Sequence, residues 1–147
     1  MKLVDLNLLV YAINVDAPVH DRARSWWEDS LSRPERVGLS WAVILGFLRL
    51  TTSPRVMPRP LAASQAVELI DDWLRQPMVR IVVPTKRHWS VLRQILGHLG
   101  TAGNLTTDAH LAALAIEHNA ILCSTDQDFA RFPLVRWTNP LQDVPTQ

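Results

Sequence analysis

The sequence predicts an α/β domain with a largely parallel sheet, and three observations predict it. Short aliphatic and β-branched runs recur along the chain, amphipathic stretches with helical periodicity separate them, and proline and glycine punctuate the joints. Parallel neighbours need crossover connections, and helices make them. At 147 residues, 48% apolar and 20% charged, the chain suits a single three-layer domain spanning residues 1–147. A chain of this length buries roughly two thirds of the surface its unfolded form exposes, so it needs no covalent staple.

Strands are predicted at Lys2–Val4 and at residues 36–39, 79–83, 120–123 and 134–137, each a short run of β-branched or aliphatic residues. Pro18 opens a helix over 20–31, with charges on one side and Ala23, Trp26, Trp27 and Leu31 on the other. The stretch 41–50 is almost wholly apolar, so a buried helix is expected there. Further helical patterns cover 62–75, His88–Leu99 and 106–118. SPRVMPRP, residues 53–60, and GTAGN, residues 100–104, read as loops.

Composition excludes several classes of function. Cys123 is the single cysteine, which rules out an internal disulfide and a multi-thiolate zinc site and fits a reducing compartment. The apolar run 8–13 is too short to span a membrane and no signal-cleavage pattern accompanies it, so a soluble cytoplasmic protein with no membrane partner is expected. The net charge of +1 leaves nucleic acid open as a partner. Of fifteen basic residues only Lys2 and Lys86 are lysine; the arginine fork suits bidentate phosphate contacts, and plain surface arginine accounts for the bias equally well.

The stretch KLVDLNLLVYA interrupts an apolar segment with Asp5 and Asn7. An ionised carboxylate removed from water costs several kcal/mol unless a partner compensates it, so Asp5 must reach a surface, a partner or a metal. Ligands of open parallel sheets bind outside the carboxyl ends of the strands, and Asp5 directly follows the first strand. Asp126 and Asp128, in AILCSTDQDF, directly follow the strand ending near Cys123, and share that edge if the two strands are neighbours. Asp108 lies in the first turn of the helix in NLTTDAHLAALAIEH, with Thr106 or Thr107 as its expected cap. Ala112 and Ala115 continue the same small face, which lets the helix pack closely and deliver its carboxylate to the same edge.

Several carboxylates in one small site need a counter-charge, because each raises the pKa of its neighbours. Hard divalent cations with oxygen ligands supply it, and Mg2+ (or Mn2+) is the usual choice for phosphate chemistry, which points to phosphodiester hydrolysis. The plainer alternative for any one of these acids is a turn or helix cap; Asp126, for instance, can cap a short helix ending before Pro133.

KLVDLN, TDAHLAALAIEHNAILCSTDQDFARFP and the NP after the last strand together resemble PIN-domain ribonucleases, specifically the VapC-type toxins of bacterial toxin–antitoxin (VapBC) pairs. SWAVILGFLRLTTSPRV is similar to a mycobacterial-type subgroup. The resemblance spans nearly the whole chain. It implies a five-stranded parallel sheet of order 3-2-1-4-5 flanked by helices. It also implies an endoribonuclease that cleaves cellular RNA (tRNA or rRNA), held in check by a cognate VapB-type antitoxin. By resemblance Asp5, Asp108 and Asp126 are metal-binding acids, Asp128 is a further acid beside them, and Asn7 orients Asp5 or a water. Many relatives carry a glutamate three residues before an arginine on the helix after the second strand, where this chain has Gly46 before Arg49. That departure keeps a catalytically impaired binding module open as an alternative, beside a small-molecule phosphohydrolase using Asp5 as nucleophile.

Other residues carry weaker expectations. Trp26, Trp27 and Phe47 read as core or as the lining of an antitoxin groove, and Arg49, Arg55 and Arg59 as RNA contacts or solvated charge. His88, His110 and His118 read as helix-surface histidines, Cys123 as strand core, and Glu68, Asp71 and Asp72 as a solvated face. A two-fold homodimer is the default assembly.

Overall fold

A computed structural model describes residues 1–142; the last five residues of the expected domain, 143–147, lie outside the described residues. In chain order the elements are β1 (Lys2–Val4), α1 (Leu6–Ile13), α2 (His20–Ser32), β2 (Val37–Ser40), α3 (Trp41–Thr51), α4 (Ala63–Arg75), β3 (Val79–Val82), α5 (His88–Leu99), α6 (Thr106–Glu117), β4 (Ile121–Cys123) and β5 (Trp137–Thr138). Short 3-10 turns occupy Gly103–Leu105 and Gln127–Arg131.

The five strands form one sheet in the order β3-β2-β1-β4-β5, the order the resemblance implied, with every neighbouring pair parallel as the strand–helix alternation predicts. Leu3 and Val4 of the central strand are fully buried, as are Val37, Leu39 and Leu122 beside them, because a parallel sheet is covered on both faces. Around it α1 packs on α2 and α3, α3 on α4, and α5 on α6. Val4 pairs with Cys123, so β1 and β4 end side by side. That register brings Asp5 next to the segment after β4, and the Asp5 amide donates to the Cys123 carbonyl at 2.9 Å. No helix among the described residues is long and apolar enough to cross a membrane.

Four expectations are corrected. Residues 134–136 are not strand; β5 starts at Trp137, because Pro133 lacks an amide and the chain turns through Val135, whose N–H donates to Phe132, before ladder bonding resumes. The apolar helix α3 is not wholly buried: Trp41 (52% exposed) and Leu45 (60%) lie one turn apart on an open face, while Val43, Ile44, Gly46 and Phe47 form the packed one. Neither Thr106 nor Thr107 caps α6. The N-cap is Leu105, since the 3-10 turn Gly103–Leu105 runs straight into the helix and Thr106 instead donates its hydroxyl to the Gly103 carbonyl at 2.8 Å.

The fourth correction concerns His88 and His110, which are half-buried rather than on a solvated surface. Glu117 accepts from His88 Nδ1 and from the Thr85 amide and hydroxyl, and His88 Nε2 meets His110 Nδ1 at 2.8 Å. Burial works to raise the Glu117 pKa, but the Thr85 and His88 hydrogen bonds outweigh it and hold the carboxyl ionised; desolvation, then the His88 charge, holds His110 low. An ionised Glu117 only accepts, so His88 accepts in turn from His110 when both rings are neutral. The chain of contacts clamps α5 to α6. His118 Nε2 donates to the Val83 carbonyl at 2.8 Å.

Candidate active site

Asp5 is the N-cap of α1 and is only 7% exposed. Its Oδ1 accepts from the Leu6 amide and its Oδ2 from the Ser124 hydroxyl, both at 2.7 Å. Desolvation raises its pKa, the Ser124 and Leu6 hydrogen bonds oppose that, and the nearby Asp126 charge adds to it. Asn7 reaches Asp5 through a third residue: its Nδ2 donates to Ser124 Oγ at 3.2 Å. Ser124 Oγ also accepts from the Asp126 amide at 3.0 Å.

Ser124 is therefore the hub of the site, fully buried, with its one proton given to Asp5 and both lone pairs used. Sequence reasoning missed it. The signal that existed was local: in STD, a serine two residues before an aspartate forms an ST-turn, and Asp126 is drawn back toward β1 by that turn. Trp137 was also passed over; its indole N–H donates to the Ser124 carbonyl at 3.0 Å and steadies the segment from β5.

Asp126 has two roles. Its Oδ1 accepts from the Asp128 amide at 2.9 Å and caps the 3-10 turn Gln127–Arg131, as the plainer reading expected. It also faces Asp108 and Asp128: one carboxylate oxygen from each of the three lies within 4.8 Å of the others. Asp5 is outside this three-acid group but close enough for its charge to act on Asp108. Burial pushes the Asp108 pKa up to about 6, and the charges of Asp5, Asp126 and Asp128 add to it in that order. No Lys, Arg or His among the described residues forms an ion pair with any of the four; Arg59, for example, pairs with Asp16 at 3.0 Å.

Converging carboxylates without a cationic partner fit a divalent cation, which is the counter-charge that parallel-sheet edge lacks. Gly46 offers no ligand, and its place is taken: a Cβ there would lie 2.6 Å from Leu6 Cδ2, so α3 approaches α1 where a longer side chain would stand. Phe47 and Trp27 are core, each edge-on to Trp73.

The charge cluster predicts a pH dependence. A carboxyl whose folded pKa lies above its ordinary 3.8 gives stability that is complete below about pH 4 and lost as pH rises through about 6. Glu117 and His110, both held low, act in the opposite sense, so the Asp108 contribution is read as the melting temperature of the wild-type chain minus that of Asp108→Asn in EDTA. That difference is expected to become more negative from pH 4 towards pH 7 and to be reversed by Mn2+ at pH 7. A pH-independent difference measured by circular dichroism would count against the cluster.

An open parallel sheet with a set of acids gathered at the carboxyl edge of its central strands defines the class: an α/β domain whose candidate site stands where such sheets bind their ligands. The PIN domain family model matches residues 2–134, and the chain belongs to that family. It is 45% identical over 140 residues to Ribonuclease VapC37 of Mycobacterium tuberculosis, covering 95% of this chain and 97% of that one. It is 43% identical over 143 residues to Ribonuclease VapC33 of the same organism, covering 97% and 100%. Among solved structures, VapBC2 from Rickettsia felis bound to a promoter DNA fragment matches with a TM-score of 0.68 at 21% identity, covering 94% of this chain and 97% of that one. The sarcin-ricin loop cleaving toxin VapC20 of M. tuberculosis matches at 0.65 and 19%, covering 92% and 97%, a likeness of fold.

Proposed function

We propose that this chain is a metal-dependent endoribonuclease, a toxin that cleaves cellular RNA to inhibit translation and is neutralised by a cognate VapB-type antitoxin. The observation that carries the reading is the convergence of Asp108, Asp126 and Asp128, backed by Asp5, in a chain 45% identical to a ribonuclease over nearly its whole length.

Asp108, Asp126 and Asp128 are the residues that would hold Mg2+ or Mn2+, Asp128 standing in for the glutamate that Gly46 replaces. Such a cation supplies neutralisation of developing phosphate charge and a water nucleophile active at neutral pH. Asp5 adds negative potential beside Asp108, and Asn7, by donating to Ser124 Oγ, keeps the Ser124 hydroxyl turned so that it donates to Asp5. No histidine is needed as general base, and His110 is engaged with His88. The phosphohydrolase alternative wants Asp5 as nucleophile, yet both its oxygens already accept short hydrogen bonds and it is 7% exposed.

An antitoxin segment fits the cavity of about 360 Å³ between α1, α2 and α4, walled by Ala12, Trp27, Leu69 and Trp73 with Arg24 and Glu28 at its rim. An antitoxin arginine among the four acids would satisfy the same charge that the cation does.

The test is cleavage of total cellular RNA by the purified, antitoxin-free chain in Mn2+, with an EDTA control. Discrete fragments that vanish with EDTA are expected. Intact RNA with folded protein at every metal concentration would move the reading to the binding module.

A further inference from the structure

We propose that Tyr11 is the stacking platform for a nucleobase of single-stranded RNA beside the scissile phosphate, an inference that rests on the ribonuclease reading above. Tyr11 follows Asn7 by one turn of α1, so ring and carboxamide share a helix face. Two open cavities are both lined by Tyr11. One, of about 320 Å³, extends from it to Asp5, Asn7 and Leu50. The other, of about 430 Å³, extends from it past Pro18 to Thr125 and Asn139.

The walls say what kind of group belongs there. Neither cavity is lined by a lysine or arginine, so neither is built for the phosphate itself; the first reaches Asp5, which is close enough to the Asp108, Asp126 and Asp128 group for its charge to act on Asp108. A neutral, flat group attached to that phosphate fits, and a base is such a group. The Tyr11 ring is half-buried and packs on the core, which fixes its face in advance, and its backbone is tied down where His20 Nδ1 meets the Tyr11 carbonyl at 2.8 Å. At the far end Asn139 spends its Oδ1 on the Leu141 amide at 3.0 Å, which leaves Nδ2–H to donate to a base edge. Single-stranded RNA is read in this manner, by stacking on an aromatic face with hydrogen bonds at the edge, and stacking tolerates several bases where the edge contact selects among them.

The probe is a pool of single-stranded oligoribonucleotides with a randomised centre, cleaved in Mn2+ by the wild-type chain, Tyr11→Phe and Tyr11→Leu. Junctions are sequenced, and kcat and KM are measured on one cleaved oligonucleotide. Tyr11→Leu is expected to raise KM about 10-fold or more with kcat little changed, and to flatten base preference at one position beside the junction. Tyr11→Phe keeps both. An abasic ribose at that position should reproduce the KM rise with unmutated protein, a readout that no folding defect can mimic. Unchanged KM for abasic substrates at every position flanking the junction, or a folded Tyr11→Leu with unaltered KM and junctions, overturns the proposal. A wild-type chain that cleaves nothing in Mn2+ overturns the ribonuclease reading first and this inference with it.

Discussion

Asp108→Asn is expected to abolish RNA cleavage, by more than about 100-fold, while raising the melting temperature of the metal-free protein at pH 7. The two effects have one origin. Asp108 accepts no hydrogen bond from the described residues, and its carboxyl is held near 6 by burial and by Asp5, Asp126 and Asp128. Its place in the first turn of α6 favours a negative charge, which works against the upward push of burial and of the neighbouring carboxylates. An uncharged amide of the same shape relieves that repulsion and breaks nothing. Solvent screens a half-exposed group, so a rise of about 2–4 °C is expected, the shift of about 1 kcal/mol in a chain of this size. Loss of a group that would bind the cation exceeds the 10–100-fold typical of residues one step further out. Asp5→Asn should lose activity equally without that gain. Its amide N–H would face Ser124 Oγ, whose lone pairs are already used by Asn7 and Asp126, and the Ser124 proton would lose its acceptor. Melting curves and cleavage assays on both variants check this; a destabilised, active Asp108→Asn would remove the basis for the site.

Gly46→Glu is expected to lower stability by about 1–3 kcal/mol without raising Mn2+ affinity. Restoring the glutamate that many relatives carry looks like restoring a ligand, but the new Cβ would lie 2.6 Å from Leu6 Cδ2 and 3.5 Å from Cδ1. The contact is with the tip of a side chain, so a methyl can be absorbed where a carboxylate cannot. Leu6 adjoins Asp5, and pushing it aside disturbs the cap on α1. Leu6→Ala should therefore recover part of the loss in the double variant, a coupling that thermal unfolding of the four proteins measures. A stable Gly46→Glu with tighter Mn2+ binding by calorimetry would show instead that the position is an open ligand site.

Much of the site was legible because its residues stand where the chain leaves regular elements. Asp5 and Asp126 each follow a strand, and a parallel sheet puts all such positions on one edge. The histidines were misread because helical periodicity places His110 two residues from Asp108 but says nothing of α5, whose His88 supplies the partner. The exposed face of α3 was misread for a related reason: an all-apolar helix has no periodicity to show which side faces out, and Trp41 and Leu45 needed the neighbouring helices to be placed.

By itself the sequence determined the fold class, the positions of helices α2 to α6 but not of α1, and four of five strands within a residue, and it nominated the four acids with Asn7. Only the tertiary structure decided how these act together. Ser124 as the hub, Asp128 as the third member of the cluster, Leu6 in the space before Gly46, and Tyr11 between two cavities all depend on contacts between segments far apart in the chain. The physical reason is that periodicity and turn chemistry are local, whereas burial, charge coupling and shared protons depend on which distant groups the packed sheet brings within a few ångströms.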